Sequence, residues 1–285
     1  MTQYYGIDVS EYQGQIDWEK VCAAGKDFAI LRCGYGRYAD QIDRCFEQNY
    51  RNAKKAGVNV GAYLFSYART TDQAREEAEN CLRFIRGKTF EYPIFYDVET
   101  AAQRKLGKEK LSDIVRTFCT ALEENGYYAG LYSNPDFLYN ALTPEIVRRF
   151  DLWLAQWASK PTYTGAYGMW QYSATGTVSG IRGAVDLDTA YKNYPHIMRS
   201  KGLNGFVAKS RSSTPDAGDA VTLTNEPLYA SAGTAFPSGK VNGTYYLYDG
   251  QTVDGRYRIT NRPGSVGRKP AMLYVTGWID ASALE

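Results

Sequence analysis

The sequence is poor in histidine, and this scarcity excludes several kinds of catalytic site. Its 285 residues include a single histidine, His196. A histidine-based zinc cage needs several imidazole groups, and we expect no Ser-His-Asp triad either. Most peptidase and zinc-amidase chemistries are therefore excluded.

Long apolar runs and a strong net charge are also missing. No stretch is apolar enough over a sufficient length to cross a bilayer, so we expect no membrane insertion. The first ten residues, MTQYYGIDVS, have neither the basic region nor the apolar region of a secretory signal, which predicts synthesis in the cytoplasm. The formal net charge of +2 gives no reason to expect nucleic acid as a partner.

Aromatic side chains are abundant instead. They make up 14% of the chain, with 25 tyrosines and 5 tryptophans. Tyr and Trp combine a flat apolar face with a polar group, which suits wet and partly apolar ligands such as sugars. Many of these side chains also belong in a core or an interface, so the composition favours sugar binding without establishing it.

Short apolar runs recur along the first two thirds of the chain. The first is YYGIDVS at 4–10 and the eighth is AVDLD at 184–188. Most of them lack clean alternation, which is typical of strands covered on both faces. Apolar residues at helical spacing separate the early runs, at 42–56, 71–86 and 108–125.

The later gaps between these runs differ from the early ones. Residues 158–167 and 174–183 are too short and too poor in helix formers to hold a crossover helix. The pattern predicts an α/β fold, an irregular TIM-like barrel of five β/α units followed by three strands. The alternative is an open α/β sheet, against which no glycine-rich phosphate loop follows the first strand.

The composition changes near residue 198. The run MRSKGLNGFVAKSRSSTPDAGD is rich in Gly, Ser and Lys and indicates a linker at 198–219. Short β-type runs broken by Gly, Pro and Asn-Gly follow it. We therefore expect a barrel domain at 1–197 and a small all-β module at 220–285.

Two acids end the stretch EYPIFYDVET, which otherwise reads as a buried strand. Asp97 and Glu99 are two residues apart, so they point the same way with Cα atoms about 6.6–7 Å apart. Ile94, Tyr96 and Val98 then face the covering helices. In a parallel barrel, inner residues at the carboxyl ends of the strands form the active site.

Acids from two other strands are expected to join this pair. Asp8 ends the apolar part of the first strand, and Asp186 and Asp188 share one face of the last. Crowded like charges let one carboxyl hold a proton near neutral pH while another stays ionised, which suits cleavage of a glycosidic bond. A magnesium site, a helix cap (for Asp188 above all) or pairing with Arg32 are the alternatives.

These fragments together resemble the glycoside hydrolase family 25 lysozymes, the muramidases of phage endolysins and some bacterial autolysins. The resemblance covers roughly residues 4–195 and is carried by GIDVSEYQG, GAYLFSYA, YDVE, YSN, LWLAQW, WQYS and VDLD, in that order. It implies cleavage of the β-1,4 bond between N-acetylmuramic acid and N-acetylglucosamine, with bacterial cell-wall peptidoglycan as the partner. No metal and no other cofactor are expected.

The resemblance also implies roles for the acids. Glu99 looks like the general acid, and Asp97 looks like its partner, which orients the acetamido group of the substrate or stabilises its charged form. Asp8 and Asp186 look like flanking acids. Because neighbours on one strand are poorly placed to flank opposite faces of a sugar, our hypothesis is substrate assistance by the 2-acetamido oxygen.

We expect aromatic and amide side chains from the same fragments to line the sugar groove. They are Tyr63, Phe65, Tyr132, Trp157, Trp170, Gln171 and Tyr172. Pyranose rings pack on aromatic faces, and hydroxyl or amide groups bind the sugar hydroxyls. For Phe65 and Trp170 a core role is an equal alternative. Arg37 and Arg69 are candidates for a lactyl or peptide carboxylate, although a solvated position is favoured.

The run YDGQTVDGRYRITNRPGSVGR near the C-terminus looks like the SH3-like cell-wall-binding modules of phage lysins. Such a module tethers an enzyme to its polymer, and self-association is the alternative. Its candidate contacts are Tyr229, Tyr245, Tyr246, Tyr248, Tyr257, Trp278, Arg256, Arg258 and Arg262, each with a structural role as the alternative. The resemblance fits an endolysin that acts on the wall after release from the cytoplasm. A non-catalytic peptidoglycan-binding protein and a chitinase-like glycosidase are the rival functions.

Overall fold

The computed structural model describes residues 3–207 and 215–284, and the chain divides into two compact units after residue 208. The first unit is a closed barrel of eight strands that are hydrogen-bonded in sequence order. The strands are β1 (Tyr4–Val9), β2 (Phe28–Tyr35), β3 (Asn59–Phe65), β4 (Ile94–Asp97), β5 (Ala129–Ser133), β6 (Asp151–Ala155), β7 (Met169–Gly176) and β8 (Val185–Ala190). The predicted barrel is confirmed, and the open sheet is not observed.

Helices follow each of the first five strands. They are α1 (Trp18–Ala23), α2 (Phe46–Lys55), α3 (Thr71–Ile85), the pair α4 (Ala101–Arg104) and α5 (Lys108–Glu124), and α6 (Pro144–Arg149). The connections at 156–168 and 177–184, which the structure describes in full, contain no helix. Five β/α units followed by three strands are therefore confirmed, with one added helix, α7 (Tyr194–Lys201), after β8. Within the described ranges, no helix has the length and apolar character needed to cross a membrane.

The eighth strand runs opposite to the other seven. Strands β1 to β7 pair in parallel, whereas β8 is antiparallel to both of its neighbours, β7 and β1. The short loop at 177–184 suffices for this, because antiparallel neighbours need no crossover connection. Within that loop the carbonyl of Gly180 accepts the amide N–H of Asp17 at 2.9 Å. The start of β8 therefore lies at the end of the barrel where the other strands finish, which we call the mouth.

The two sides of the barrel wall pack into separate cores. Ile94 and Tyr96 of β4, and Val98 directly after it, belong to the core between strands and helices. Tyr96 stacks on Phe118 of α5 with ring centroids 3.8 Å apart. This confirms the predicted outward face of β4 and leaves its other face to the barrel interior.

Aromatic side chains fill the barrel interior below the mouth. Phe28 and Tyr92 stack with ring centroids 4.2 Å apart, and the ring of Trp153 lies 5.1 Å from that of Phe95. Gly61 makes this packing possible, since a Cβ at that position would lie 2.7 Å from the Cβ of Tyr92. The lower barrel is thus a packed core rather than a channel.

Helix α7 and the turn after it cover the barrel end opposite to the mouth. Tyr194 and Met198 of α7 join the inner core. Asn204 is fully buried; its Oδ1 accepts the amide N–H of Tyr128 at 2.7 Å and its Nδ2 donates to the carbonyl of Tyr92 at 2.8 Å. These bonds attach residues well beyond 197 to the barrel.

The first unit consequently extends past the boundary that the sequence places at 197. Part of the linker expected at 198–219 is the second half of α7 and the turn at 202–205. The Gly and Asn residues that signal a flexible segment instead form a turn against the barrel, in which Gly202 and Asn204 have φ angles of 62° and 55°. The part of the predicted linker at 208–214 lies outside the described residues.

The second unit is all-β, as the sequence predicts. Its four antiparallel strands lie in the order β12-β11-β10-β9. They are β9 (Ala220–Leu228), β10 (Gly239–Val253), β11 (Arg256–Thr260) and β12 (Gly277–Asp280). They enclose a core of their own, which consists of Leu223, Val241, Leu247, Tyr257, Ile259 and Ile279.

Candidate active site

The four acids predicted for the site gather at the mouth. Asp8 of β1 pairs in register with Asp186 of β8, and Asp97 is the last residue of β4. Their charges interact: Asp186 raises the pKa of both Asp8 and Glu99. Glu99 in turn raises the pKa of Asp97. The antiparallel β8 still delivers Asp186 to the mouth, because its beginning rather than its end lies there.

The backbone around Glu99 is held on both sides. The amide N–H of Val98 donates to the carbonyl of Tyr132 at 3.2 Å, and the hydroxyl of Ser133 donates to the carbonyl of Val98 at 2.6 Å. Thr100 then caps α4 in a reciprocal capping box with Gln103. Glu99 is thus fixed between a strand end and a helix cap, while its side chain is exposed at the mouth.

Asp97 is a buried acid without a hydrogen-bonding partner on one oxygen. It is 5% exposed, and within the described residues nothing donates to its Oδ1. Burial raises the pKa of Asp97 well above its usual value, the charge of Glu99 adds to this, and Arg32 opposes it. An unpaired buried oxygen is costly, and a ligand that brings a donor would satisfy it.

Glu99 is the less strongly perturbed member of the pair. Partial desolvation is the largest cause that raises the pKa of Glu99, and the charge of Asp186 raises it further. Because its side chain remains open to solvent, its shift is smaller than that of Asp97. Without a ligand, a single proton on the pair is therefore favoured on Asp97.

Gln171 of β7 connects three of the predicted site residues. Its Nε2 donates to Oδ2 of Asp8 at 2.7 Å. Its Oε1 accepts the hydroxyl of Tyr132 at 3.0 Å and the Nε1–H of Trp157 at 2.9 Å. One amide thus ties a buried acid to two aromatic side chains of the mouth.

Asp188 lies one inward-facing position deeper than Asp186 on β8 and does not cap a turn. It is fully buried, and its Oδ1 accepts the Nε1–H of Trp153 at 2.8 Å. Burial is the main cause that raises the pKa of Asp188 to about 8. Trp153 was not among the predicted site residues, although its alternation with Leu152 and Leu154 along β6 signals an inward position.

Two further predicted residues face the mouth. Tyr63 lies on the inner face of β3, with its ring edge-on to Trp153 at 6.0 Å between centroids. Phe65, opposite Asp97 in the β3–β4 register, is half-buried. Its ring lies 5.1 Å from that of Tyr67, an exposed aromatic that the sequence analysis missed.

Trp170 and Tyr172 do not join this group, which corrects their predicted role in the groove. Trp170 packs against the core between strands and helices, and its Nε1 donates to the carbonyl of Gln156 at 2.7 Å. Tyr172 contacts the ring of Trp170 at 5.6 Å. The reason is strand alternation, since both residues flank the inward-facing Gln171.

The arginines near the mouth are engaged elsewhere. Arg32 lies between the rings of Tyr12 and Tyr35 and forms ion pairs with Asp43 at 2.8 Å and Glu11 at 3.0 Å. The alternative in which one of the mouth acids forms a structural ion pair with Arg32 is therefore not observed.

The two candidate carboxylate-binding arginines lie at the surface. Arg37 pairs with Glu76 at 3.2 Å, and Arg69 is exposed. Across residues 3–207 and 215–284, no three His, Cys, Asp or Glu side chains are arranged to hold a metal ion.

Known proteins are similar to this chain in sequence over the barrel. The chain is 30% identical over 184 residues to the autolytic lysozyme of Clostridium acetobutylicum, which covers 64% of this chain and 54% of the relative. It is 32% identical over 198 residues to lysozyme M1 of Streptomyces globisporus, at 64% and 65% coverage. The similarity thus spans between half and two thirds of these relatives.

Solved structures agree with this relationship. The CTP1L endolysin superposes with a TM-score of 0.62 at 26% identity, covering 68% of this chain and 69% of that one. The autolysin LytC of Streptococcus pneumoniae, solved with a synthetic peptidoglycan ligand, gives 0.58 at 28% identity, covering 66% and 47%. The sequence model for glycosyl hydrolases family 25 matches residues 7–181, more than half of the chain. The resemblance inferred from the sequence is therefore confirmed, and the chain belongs to glycosyl hydrolase family 25.

Proposed function

We propose that this protein is a lysozyme that hydrolyses the β-1,4 bond between N-acetylmuramic acid and N-acetylglucosamine in bacterial peptidoglycan. The observation that carries the proposal is the pair at the mouth: an exposed Glu99 with a raised pKa, beside a buried Asp97 whose Oδ1 lacks a donor. The lysozymes among its relatives, and the autolysin crystallised with a peptidoglycan ligand, support this substrate class.

Glu99 is the general acid in this proposal. The carbonyl oxygen of the 2-acetamido group attacks C1 of the muramic residue, and the bond from C1 to the bridging oxygen breaks. Glu99 gives its proton to that oxygen. The resulting charged five-membered ring is then opened by water, which loses a proton to the Glu99 carboxylate, so the anomeric configuration is retained.

Asp97 controls where the proton lies before this step. In the free protein, burial favours the proton on Asp97. When the acetamido N–H of the substrate donates to Oδ1, the hydrogen bond favours the ionised form of Asp97 and lowers its pKa. The proton then resides on Glu99, where the leaving oxygen needs it, and the Asp97 carboxylate stabilises the positive charge of the ring.

The exposed and half-buried aromatics of the mouth supply the sugar surface. Trp157 is 67% exposed although its Nε1–H is held by Gln171, so its ring is fixed and open to a ligand. Tyr63 and Phe65 line the opposite part of the wall. We assign sugar stacking to Trp157 and Phe65, and hydrogen bonding to the hydroxyl of Tyr63.

We propose that the second unit is an SH3-like module that binds the cell wall. Four of its candidate tyrosines, Tyr229, Tyr246, Tyr248 and Tyr257, are buried, and Tyr257 belongs to its core. Arg256 is held over the ring of Tyr229, 3.3 Å from the centroid, and pairs with Asp280, while Arg258 pairs with Asp249. We therefore assign contact with the wall to the half-buried Tyr245 and Trp278 and to the exposed Arg262.

Digestion of purified walls by the wild type and by Glu99→Gln tests the enzymatic proposal. Loss of the general acid is expected to lower kcat by roughly 10²- to 10⁴-fold. Because Glu99 is exposed, Tm is expected to stay unchanged, and Glu109→Gln, an exposed acid on α5, is the matched control.

The products distinguish the rival functions. Mass spectrometry of reduced fragments is expected to show muramic acid at the new ends. A wild type that binds walls without releasing fragments would indicate a non-catalytic binding protein. Equal cleavage of chitin would indicate a chitinase-like glycosidase, and early products of inverted anomeric configuration would exclude substrate assistance.

A further inference from the structure

Asp188 is a buried acid for which the proposed reaction has no role. Its Oδ1 accepts the Nε1–H of Trp153 at 2.8 Å, whereas nothing in the described ranges donates to its Oδ2. Asp8 and Asp188 lie on the paired strands β1 and β8, and a hydrogen bond between their carboxyls is among the causes that shift the pKa of each. Two carboxylates only accept hydrogen bonds, so Asp8 and Asp188 can bond to each other only when one of them carries a proton.

We propose that Asp8 and Asp188 share one proton, and that Asp188 is a positioning residue for the reaction at the mouth. The role in the reaction rests on the proposed glycosidase function, whereas the shared proton is a property of the folded barrel alone. Two ionised carboxylates side by side in a buried site repel each other, and one proton turns the repulsion into a hydrogen bond.

The contacts of this pair form a closed ring of five residues. From Asp188 the ring runs through the indole of Trp153 to Tyr132, whose ring centroid lies 4.6 Å from that of Trp153. The hydroxyl of Tyr132 donates to Gln171, which donates to Asp8. The shared proton closes the ring between Asp8 and Asp188. Loss of that proton would open the ring directly beneath the reacting acids.

The charged and titratable surroundings favour one retained proton at neutral pH. The charged groups that shift the pKa of the pair are Asp186 and Lys26, and the pair in turn raises the pKa of Tyr63, Tyr132 and Tyr172. Burial is the largest cause that raises the pKa of both acids, Asp186 raises it further, and Lys26 lowers that of Asp188. The balance leaves the pKa of Asp188 at about 8 and that of Asp8 well above its usual value.

Urea unfolding of the full chain at several pH values tests the shared proton. A carboxyl whose pKa is raised on folding binds its proton more tightly in the folded state, so stability falls as pH rises towards the folded pKa. Between pH 6 and 8 the pair should lower the folding equilibrium constant by about tenfold per pH unit. In Asp188→Asn the amide donates permanently to Asp8, so the pair's share of the decline is expected to disappear, while the share caused by Asp97 remains.

The indole N–H of Trp153 provides a direct signal, because it donates to Asp188. Its proton–nitrogen resonance, assigned with Trp153→Phe, is expected to shift with an apparent pKa of about 8 in the wild type. It should not titrate in Asp188→Asn. A resonance that stays constant from pH 6 to 9 in the wild type, or identical stability profiles of the two proteins, would overturn the shared proton.

Activity on walls tests the positioning role. Asp188→Asn is expected to reduce kcat by less than threefold at pH 6, and Asp188→Leu, which offers no donor to Asp8, by at least tenfold with little change in KM. Asp40→Asn, an exposed acid, controls for loss of charge. Equal losses in the Asn and Leu variants would contradict positioning through the hydrogen bond. If the wild type cleaves no walls, the proposed function fails, while the unfolding and resonance measurements still decide the shared proton.

Discussion

Gln171 donates its Nε2–H to Oδ2 of Asp8 at 2.7 Å, joining residues that are 163 positions apart in the sequence. Since the amide oxygen of the same side chain accepts from Tyr132 and Trp157, its orientation is set by three partners at once. This side chain therefore couples the buried acids to the surface that a glycan would contact.

Replacing Gln171 by Leu is expected to lower kcat/KM by roughly 10- to 100-fold. The change leaves the buried Asp8 without its donor and the buried hydroxyl of Tyr132 without its acceptor, and each unsatisfied buried group costs about 1–3 kcal/mol. Steady-state kinetics on solubilised wall fragments measures the effect. Tyr132→Phe, which removes one of the three bonds, should lose less, and an equal or greater loss would argue against Gln171 as the connecting residue.

Asp97→Asn should inactivate the protein and stabilise it. The expected loss in kcat is about 100-fold or more, because the amide cannot stabilise a positive ring. The folded pKa of Asp97 is raised above its unfolded value, so wild-type stability declines as pH rises above the unfolded pKa. The variant lacks the share of this decline that Asp97 causes, and its Tm should exceed that of the wild type more at pH 8 than at pH 5. A Tm difference that is independent of pH would contradict the assigned shift.

Trp157→Ala should weaken substrate binding without affecting the fold. An aromatic stacking contact contributes about 0.5–1.5 kcal/mol, so KM is expected to rise roughly 2- to 12-fold with kcat nearly unchanged. Trp170→Phe is the matched control: Trp170 lies on the outer face of the barrel, so its replacement should lower Tm and leave KM unchanged. If Trp170→Phe raised KM instead, the outward assignment would be wrong.

Residues after 197 should prove necessary for a stable barrel. Asn204→Ala leaves the amide N–H of Tyr128 and the carbonyl of Tyr92 without their partner, which is expected to cost about 1–3 kcal/mol of unfolding free energy. Lys201→Ala, an exposed change in the same segment, is the control. A chain ending at 197 should unfold at a lower temperature than one ending at 207, and equal Tm values would place the boundary at 197.

Wall binding should depend on the second unit. Inactive Glu99→Gln protein of full length is expected to pellet with purified walls, and the same variant ending at residue 207 should pellet much less. Trp278→Ala in the full-length background should reduce pelleting if its half-buried ring contacts the wall. Undiminished pelleting after truncation would favour the self-association alternative, which sedimentation velocity would then test.

The sequence predicted the mouth acids because the position of an acid after an apolar run does not depend on how the strands are ordered. The direction of a strand is harder to infer from the sequence. The VDLD run has the same pattern in either direction, so the antiparallel β8 became apparent only from its pairing with Asp8 and its neighbours. Asp186 reached the mouth all the same, since the short loop before it places the start of β8 there.

Other differences between the predicted and the observed structure arise where one sequence pattern is compatible with two arrangements. The fragment WQYS places three large side chains together in sequence, but strand alternation sends Gln171 inward and Trp170 outward. The turn residues around Asn204 are typical of a linker and also of a buried turn, and only tertiary hydrogen bonds distinguish the two. Trp153 was hard to identify as a site residue because an inward position in a barrel looks like ordinary core.

The reversed last strand also makes one wall of the groove easy to modify. A hairpin at the mouth joins β7 and β8, and its loop contains no crossover helix. Residues 177–184 can therefore be lengthened or exchanged without moving a helix of the barrel. The bond between Asp17 and Gly180 and the buried side chains of Val178 and Ile181 would have to be preserved to keep the graft anchored. Loop exchange at this hairpin is therefore the most direct way to alter one wall of the proposed sugar groove.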